Sequence, residues 1–322
     1  MGGGGLVPGA RTNRRDVVVR AVTARGPASI FIVCIAAGLV IGTMADRIPV
    51  RSPITAGEYV VLVGDFHVHA FPGDGSLAPW TLRHEAARAG LDVFAVTNHN
   101  RVFTSRFSEW LASYSDGPLV IAGEEVTNPG YHLIGVGVKT PVDAFQPAAA
   151  AIDDIHAQGG VAIAAHPGPR ATGYNDDAIA RLDGSELAHS AMHESVEFRV
   201  ELANFFQRVR AVNPDVAPIG SSDFHVSPAL ARCRTVLFAR ERTREGVLEA
   251  IRHGRTVAMD GDGRLYGDPN LVRLVDRASL AGRSDAHTVW RRLSIALSGV
   301  GVLGLVLFRK PGFLPSDGNP VS

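Results

Sequence analysis

Apolar and polar positions divide the chain into three parts. Two long uncharged runs, Ala28 to Ala45 and Leu293 to Phe308, stand either side of a middle region of shorter alternating segments. In that middle, YVVLV before Gly64, DVFAVT, LVIAGEEV, YHLIGVGV, VAIAAH, VEFRVELAN, VAPIGSSDF and TVLFA have the length and β-branched content of strands. Between them LAPWTLRHEAARAG, AFQPAAAAIDDIHAQGG and TREGVLEAIRHG are spaced as helices, the last with Val247, Leu248 and Ile251 on one face. Such alternation predicts an α/β fold, a parallel sheet or a barrel with outer helices. Its active site is expected at the carboxyl ends of the strands.

The outer runs predict membrane helices. At 1.5 Å per residue each spans about 24–27 Å, close to a hydrocarbon core of about 30 Å once flanking arginines snorkel. Arg11, Arg14, Arg15, Arg20 and Arg25 precede the first run, and Arg309 and Lys310 follow the second. The positive-inside rule then puts both ends in the cytoplasm and the middle outside, with Arg291 and Arg292 pulling the other way. Two further readings of the first run stay open. Thr43-Met44-Ala45 has the form of a signal-peptidase site, and NRRDVV is loosely like a twin-arginine export signal.

Bulk composition narrows the field without deciding it. The chain has 322 residues and a formal net charge of zero, so no basic footprint for nucleic acid is present. Two cysteines exclude a cysteine-based zinc knuckle and leave the redox compartment open. The predicted organisation is a basic tail over 1–27, a transmembrane helix or signal anchor over 28–45 and an α/β domain over 59–260. A linker over 261–290, a second transmembrane helix over 291–308 and a tail over 309–322 complete it.

The predicted strand ends carry chemistry. The first delivers His67 and His69, which share a face because strand side chains repeat every second residue, then Asp74 in a Pro72-Gly73 turn. DVFAVTNHN delivers His99, LVIAGEEV delivers Glu124 and Glu125, and YHLIGVG places His132 at its start. VAIAAHPGPR adds His166, and VAPIGSSDFH adds Asp223 and His225. Imidazoles and carboxylates gathered on one rim are the donors that hold zinc, manganese or iron. His84, His156, His189, His193, His253 and His287 fall in helical or loop contexts and read as surface or structural.

In order along Val61 to Met259, D-F-H-V-H with G-D-G-S, A-V-T-N-H-N, G-E-E-V-T, H-L-I-G-V-G, A-H-P, E-L-A-N and G-S-S-D-F-H resemble the PHP (polymerase and histidinol phosphatase) metallophosphoesterases. The resemblance implies a distorted (β/α)7 barrel with up to three divalent ions (Zn, Mn or Fe). It puts one ion on His67, His69, Glu125 and Asp223, and a second on the shared Glu125 with His132 and His166. Asp74, His99 and His225 would take the third. Glu125, Asp223 and His225 are the implied catalytic residues. Asn98 and Asn100 flank His99 where the family often has aspartate, and Asn204 matches a family position.

The implied activity is hydrolysis of a phosphate mono- or diester by a metal-activated hydroxide, on a phosphorylated substrate of unknown identity. Arg101 and Arg170 are candidates to grip phosphate, and Asp65 to hydrogen-bond a ligand imidazole. The alternatives are an amidohydrolase-type C–N hydrolase, with Lys139 as the candidate bridging lysine, and a non-catalytic metal-binding membrane ectodomain.

Overall fold

The apolar run before Gly64 forms strand β2 (Tyr59–Val68), entered through a hairpin from β1 (Ile54–Ala56). This is a computed structural model, describing residues 14–45, 53–114, 116–168, 171–190, 195–226, 230–275 and 286–307. On one side β2 pairs in parallel with β3 (Val93–Val96), and β3 in parallel with β4 (Leu119–Asn128). Strand β4 turns back antiparallel into β5 (Tyr131–Val136), and β5 into β6 (Val161–Ala164). Parallel pairing then resumes through β7 (Gly184–His189) to β8 (Ala217–Ser221). On its other side β2 pairs antiparallel with β9 (Arg234–Ala239), followed by β10 (Thr256–Met259) and β11 (Leu265–Gly267).

This mixed sheet curls into a nearly closed barrel. Its seam lies between β8 and the β2–β9–β10 flank, and side chains do much of the joining. Thr235 Oγ1 accepts from Gly220 N and donates to Gly220 O, both at 2.9 Å, while Thr256 Oγ1 donates to Pro218 O at 2.9 Å. Gly220 is required here because a Cβ would lie 2.2 Å from Arg234 O. At the carboxyl end the seam is completed by backbone: Val68 bridges Phe224 in parallel, and His69 N donates to Phe224 O at 2.9 Å.

Helices cover the barrel as their spacing requires. In α4 (Ala148–Ala157), Ala148, Ala151, Ile152 and Ile155 are buried. In α7 (Arg244–Arg252), Val247, Leu248, Ala250 and Ile251 are buried, and the Thr243 side chain caps the first turn. The predicted helix after Asp74 is α2 (Pro79–Arg88), and α3 (Phe103–Ala112) follows the His99 loop.

Three readings are corrected. VEFRVELAN is not a strand but the first half of helix α6 (Val196–Val212), capped by Ser195, whose hydroxyl accepts from Phe198 N. Its alternating start also satisfies helical spacing, with Leu202, Phe206 and Val209 buried on one side. The strand in this part of the barrel is β7, GSELAH, which the apolar pattern did not reveal. The barrel also does not stop at Asp260. Strand β11 and helix α8 (Pro269–Leu274) extend it into the expected linker, with Leu265, Leu271 and Val272 packed on a hydrophobic cluster.

The two outer runs lie in helices α1 (Arg14–Ala45) and α9 (Ala286–Leu307), so α1 begins within the expected N-terminal tail. Their segments Ala28–Ala45 and Val289–Leu307, with mean hydropathy 2.3 and 1.4, are long and apolar enough to cross a membrane. The two helices form a unit separate from the barrel, joined by contacts such as Ser294 Oγ donating to Gly38 O at 2.7 Å.

Candidate metal centre

The barrel brings all nine predicted ligand residues to one end. His67 and His69 leave β2 on the same face, with ring centroids 5.2 Å apart, and both are buried. Glu125, near the end of β4, is fully buried and faces five imidazoles. Its Oε2 lies 3.2 Å from His67 Nε2, 3.4 Å from His69 Nε2 and 2.9 Å from His99 Nδ1. The other oxygen, Oε1, lies 2.8 Å from His132 Nδ1 and 3.3 Å from His166 Nε2. Because β5 runs antiparallel to β4, the start of β5 is the end that reaches this rim, which puts His132 opposite Thr127.

Asp223 enters across the seam, its Oδ1 at 3.2 Å from both His67 Nε2 and His69 Nε2. Asp74 closes the outer side. Its Oδ1 meets His69 Nδ1 at 3.1 Å, and its Oδ2 meets His99 Nε2 at 3.1 Å and His225 Nε2 at 3.2 Å. His166 and Asp223 hold positive φ, 28° and 50°, a costly backbone region for residues other than glycine that recurs at functional sites.

The donor set fits metal ions on an observation internal to the protein. His67 Nε2, His69 Nε2, Glu125 Oε2 and Asp223 Oδ1 are buried atoms without a well-formed hydrogen bond, and the four residues offer ligand atoms within 4.8 Å of one another. Buried polar atoms are ordinarily hydrogen-bonded, so four of them converging on one point describe a ligand shell. The same test groups Glu125 with His132 and His166, and Asp74 with His69, His99 and His225.

Electrostatics point the same way. Burial alone would raise the Glu125 carboxyl, but the charge of His67 and hydrogen bonds from His132 and His166 hold it well below the usual range. Burial would also raise Asp223, which is partly buried, yet His67, His189 and His69 hold it far below its ordinary value. Burial disfavours charge on His67, but Asp223, Glu125 and Glu186 raise its proton affinity well above normal. The cluster therefore attracts positive charge, as protons or as cations.

The supporting residues divide into those expected and those missed. Asp65 does not meet a ligand imidazole. Its carboxylate accepts from three backbone N–H groups, those of Ser222 (3.0 Å), Ala231 (3.1 Å) and His67 (3.4 Å), and burial lifts its pKa to about 6. Asn98 holds the turn that carries Asp74, as Ala70 N donates to its Oδ1 at 3.1 Å and its Nδ2 donates to Ala70 O at 2.7 Å. Gly73 is needed beneath it, since a Cβ would lie 1.7 Å from Asn98 Nδ2. Asn100, at φ 49°, ties the His99 loop to Thr127 N and O. Glu124 points away from Glu125, accepts from Val142 N at 2.9 Å, and is raised to about 7 by burial.

Arg101 is exposed beside His99, its Nε donating to His99 O at 3.3 Å, whereas Arg170 lies outside the described residues. Asn204 is exposed on α6, so its family match loses the strand on which it rested. An E-L-A tripeptide does lie on a barrel strand, but it is Glu186-Leu187-Ala188 of β7. That strand contributes Glu186 and His189, both fully buried and both missed. Glu186 Oε1 lies 3.0 Å from His67 Nδ1, and its Oε2 accepts from His166 N at 2.5 Å. His189, expected to be surface or structural, lies 5.2 Å from the His166 ring and can join His67 and His166 in a fourth group, made of imidazoles alone. The only signal in the sequence was the doubled E-L-A, one copy ending in histidine.

Comparison with known proteins bears out the resemblance to the PHP family. A family model described as PHP-associated matches residues 203–256, which contain Asp223 and His225. A two-domain protein from Bacteroides vulgatus, containing a predicted PHP-like metal-dependent phosphoesterase, shares the fold with a TM-score of 0.57 and 24% identity. That match covers 71% of this chain and 73% of the other. An amidohydrolase from Chromobacterium violaceum with bound sulfate and no metal aligns over 51% of this chain and 88% of its own, at 16% identity and a TM-score of 0.37. No curated protein matches the chain.

Proposed function

We propose that this protein is a metal-dependent phosphoesterase with up to three divalent ions, held at a membrane by its two outer helices. One observation carries the reading: the two oxygens of Glu125 face different imidazole sets, Oε2 toward His67 and His69 and Oε1 toward His132 and His166. A carboxylate placed in this way suits a bridge between neighbouring ions. His67, His69, Glu125 and Asp223 would hold the first, Glu125, His132 and His166 the second, and Asp74, His99 and His225 the third. Zinc, manganese or iron in such a site supplies a nucleophile at neutral pH and charge to neutralise phosphate oxygens.

The chain's own residues then position and screen. Glu125, buried and held ionised, keeps its charge without solvent. His132, His99 and His225 are about one-third exposed and face the opening, so an ester reaches the centre from their side. Arg101 stands exposed at that mouth with a guanidinium suited to bidentate phosphate contact. Lys139 does not support the amidohydrolase alternative. It follows the end of β5 whose start carries His132, and so lies toward the opposite end of the barrel, exposed.

The test uses the full chain in detergent, loaded with manganese or zinc, on p-nitrophenyl phosphate and bis-p-nitrophenyl phosphate. Metal-dependent release of nitrophenol from either, lost in Glu125→Gln, is expected. Bound metal with no turnover of either ester overturns the reading in favour of a non-catalytic ectodomain. Carbonate washing of membranes and protease access to the barrel test the placement with both termini cytoplasmic.

A further inference from the structure

Behind His67 and Asp223 lies a second layer of charge, outside the three ligand sets assigned above. Glu186 and His189, three residues apart near the end of β7, are both fully buried. His189 Nε2 stands between two carboxylate oxygens, 3.5 Å from Asp223 Oδ2 and 3.7 Å from Glu186 Oε2. Both neighbours are acceptors, so this nitrogen is the one that carries a proton. The opposite oxygens of the same carboxylates are engaged with His67, Glu186 Oε1 at 3.0 Å from Nδ1 and Asp223 Oδ1 at 3.2 Å from Nε2. The four side chains thus lie in a ring, His67, Glu186, His189, Asp223 and back to His67, with its longest spacings at His189.

We propose that His189 is a positioning residue for the metal centre, an N–H shared between Glu186 and Asp223 that aims Asp223 Oδ1 at the first ion. The proposal rests on the metal-centre reading above. Without that N–H, the buried Glu186 and the partly buried Asp223 carboxylates face one another across an uncompensated gap. Asp223 is then free to turn Oδ1 away, and Glu186 keeps only His166 N on Oε2 and His67 Nδ1 on Oε1. Neither ring nitrogen of His189 completes a hydrogen bond of its own. A histidine retained only for packing would not need to stand between two acids, and an apolar side chain would fill the space at lower desolvation cost.

The test compares His189→Ala with His189→Gln in the full chain in detergent, titrated with manganese alone. Bound manganese is counted after gel filtration, and affinity is measured by calorimetry. Removal of an outer hydrogen-bonding partner of a ligand ordinarily weakens metal binding about 10- to 100-fold. That loss is expected in the alanine variant, with most of it restored by glutamine, whose amide still donates. Where an ester is turned over, kcat should fall more than KM.

Manganese affinity in His189→Ala equal to wild type overturns the proposal, as does a glutamine variant no better than alanine. If the alanine variant fails to fold, Glu186→Gln gives the second route. It keeps the size and removes the charge facing His189, and unchanged manganese affinity there also overturns the ring. A wild type that binds manganese but turns over no ester overturns the phosphoesterase reading and leaves this inference standing. A wild type that binds none overturns both.

Discussion

The Asn98 side chain and the Ala70 backbone exchange two hydrogen bonds, Ala70 N to Oδ1 at 3.1 Å and Nδ2 to Ala70 O at 2.7 Å. Only a carboxamide satisfies both ends, so an asparagine where the resemblance anticipates aspartate is not a weakened ligand but a brace for the turn carrying Asp74. Asn98→Asp places a carboxylate against the Ala70 carbonyl. A loss of about 1–3 kcal/mol in stability is expected, the cost of an unsatisfied buried pair. The ion at Asp74, His99 and His225 should be the first lost on dilution, seen as bound metal per chain falling by one.

Glu125→Gln keeps the shape of the bridge and removes its charge. Since both oxygens are engaged, two ions should be lost together rather than one. Activity should fall by at least the roughly 100-fold seen when a mere supporting group of a metal site is removed. Metal analysis of the variant checks this directly, and full occupancy would contradict it.

Glu124 provides a pH signature separate from the metals. Its carboxyl is raised by burial from an ordinary 4.5 to about 7, so the folded chain holds this proton more tightly than the unfolded one. Below pH 4.5 both states are protonated and no cost arises. Between 4.5 and about 7 the unfolded chain ionises first, so stability from this group falls as pH rises, by at most about 3 kcal/mol above pH 7. Glu124→Gln should remove that fall. The melting temperature of the variant relative to wild type should be higher at pH 8 than at pH 4.5, with metal held constant.

Chelation should destabilise the barrel. Ions that bind only the folded chain add about 2.7 kcal/mol when present at 100 times their dissociation constant. The expected result is a melting transition that falls on adding chelator and returns with manganese. A transition indifferent to both would mean that the convergent buried atoms do not hold a cation.

The parts legible in the sequence were those where one residue type does one local job. His67 and His69 announce themselves by a two-residue period on an apolar strand, and Asp223 and His225 by the same spacing. What stayed hidden is where two periods coexist. Val196, Phe198, Val200 and Leu202 alternate as a strand would, while Leu202, Phe206 and Val209 follow a helix, and the capping Ser195 decides for the helix. The E-L-A of that helix ends in the exposed Asn204, whereas the E-L-A of β7 carries Glu186 and ends in His189. Those two act on atoms of residues contributed by other strands, and such relations exist only after folding. The backbone role of Asp65 is hidden for the same reason, its partners Ser222 and Ala231 being 157 and 166 residues away.

The seam of the barrel has a consequence for how the centre comes into being. Val68 bridges Phe224, and these two residues sit between His67 and His69 at the end of β2 and between Asp223 and His225 in the segment after β8. A chain still emerging from the ribosome therefore displays His67 and His69 long before Asp223 exists, and two imidazoles alone are a poor trap for any ion. Metal loading would wait for the last parallel strand to dock. An ion held by His67, His69 and Asp223 would span the join, a rivet through the line along which the barrel would otherwise reopen.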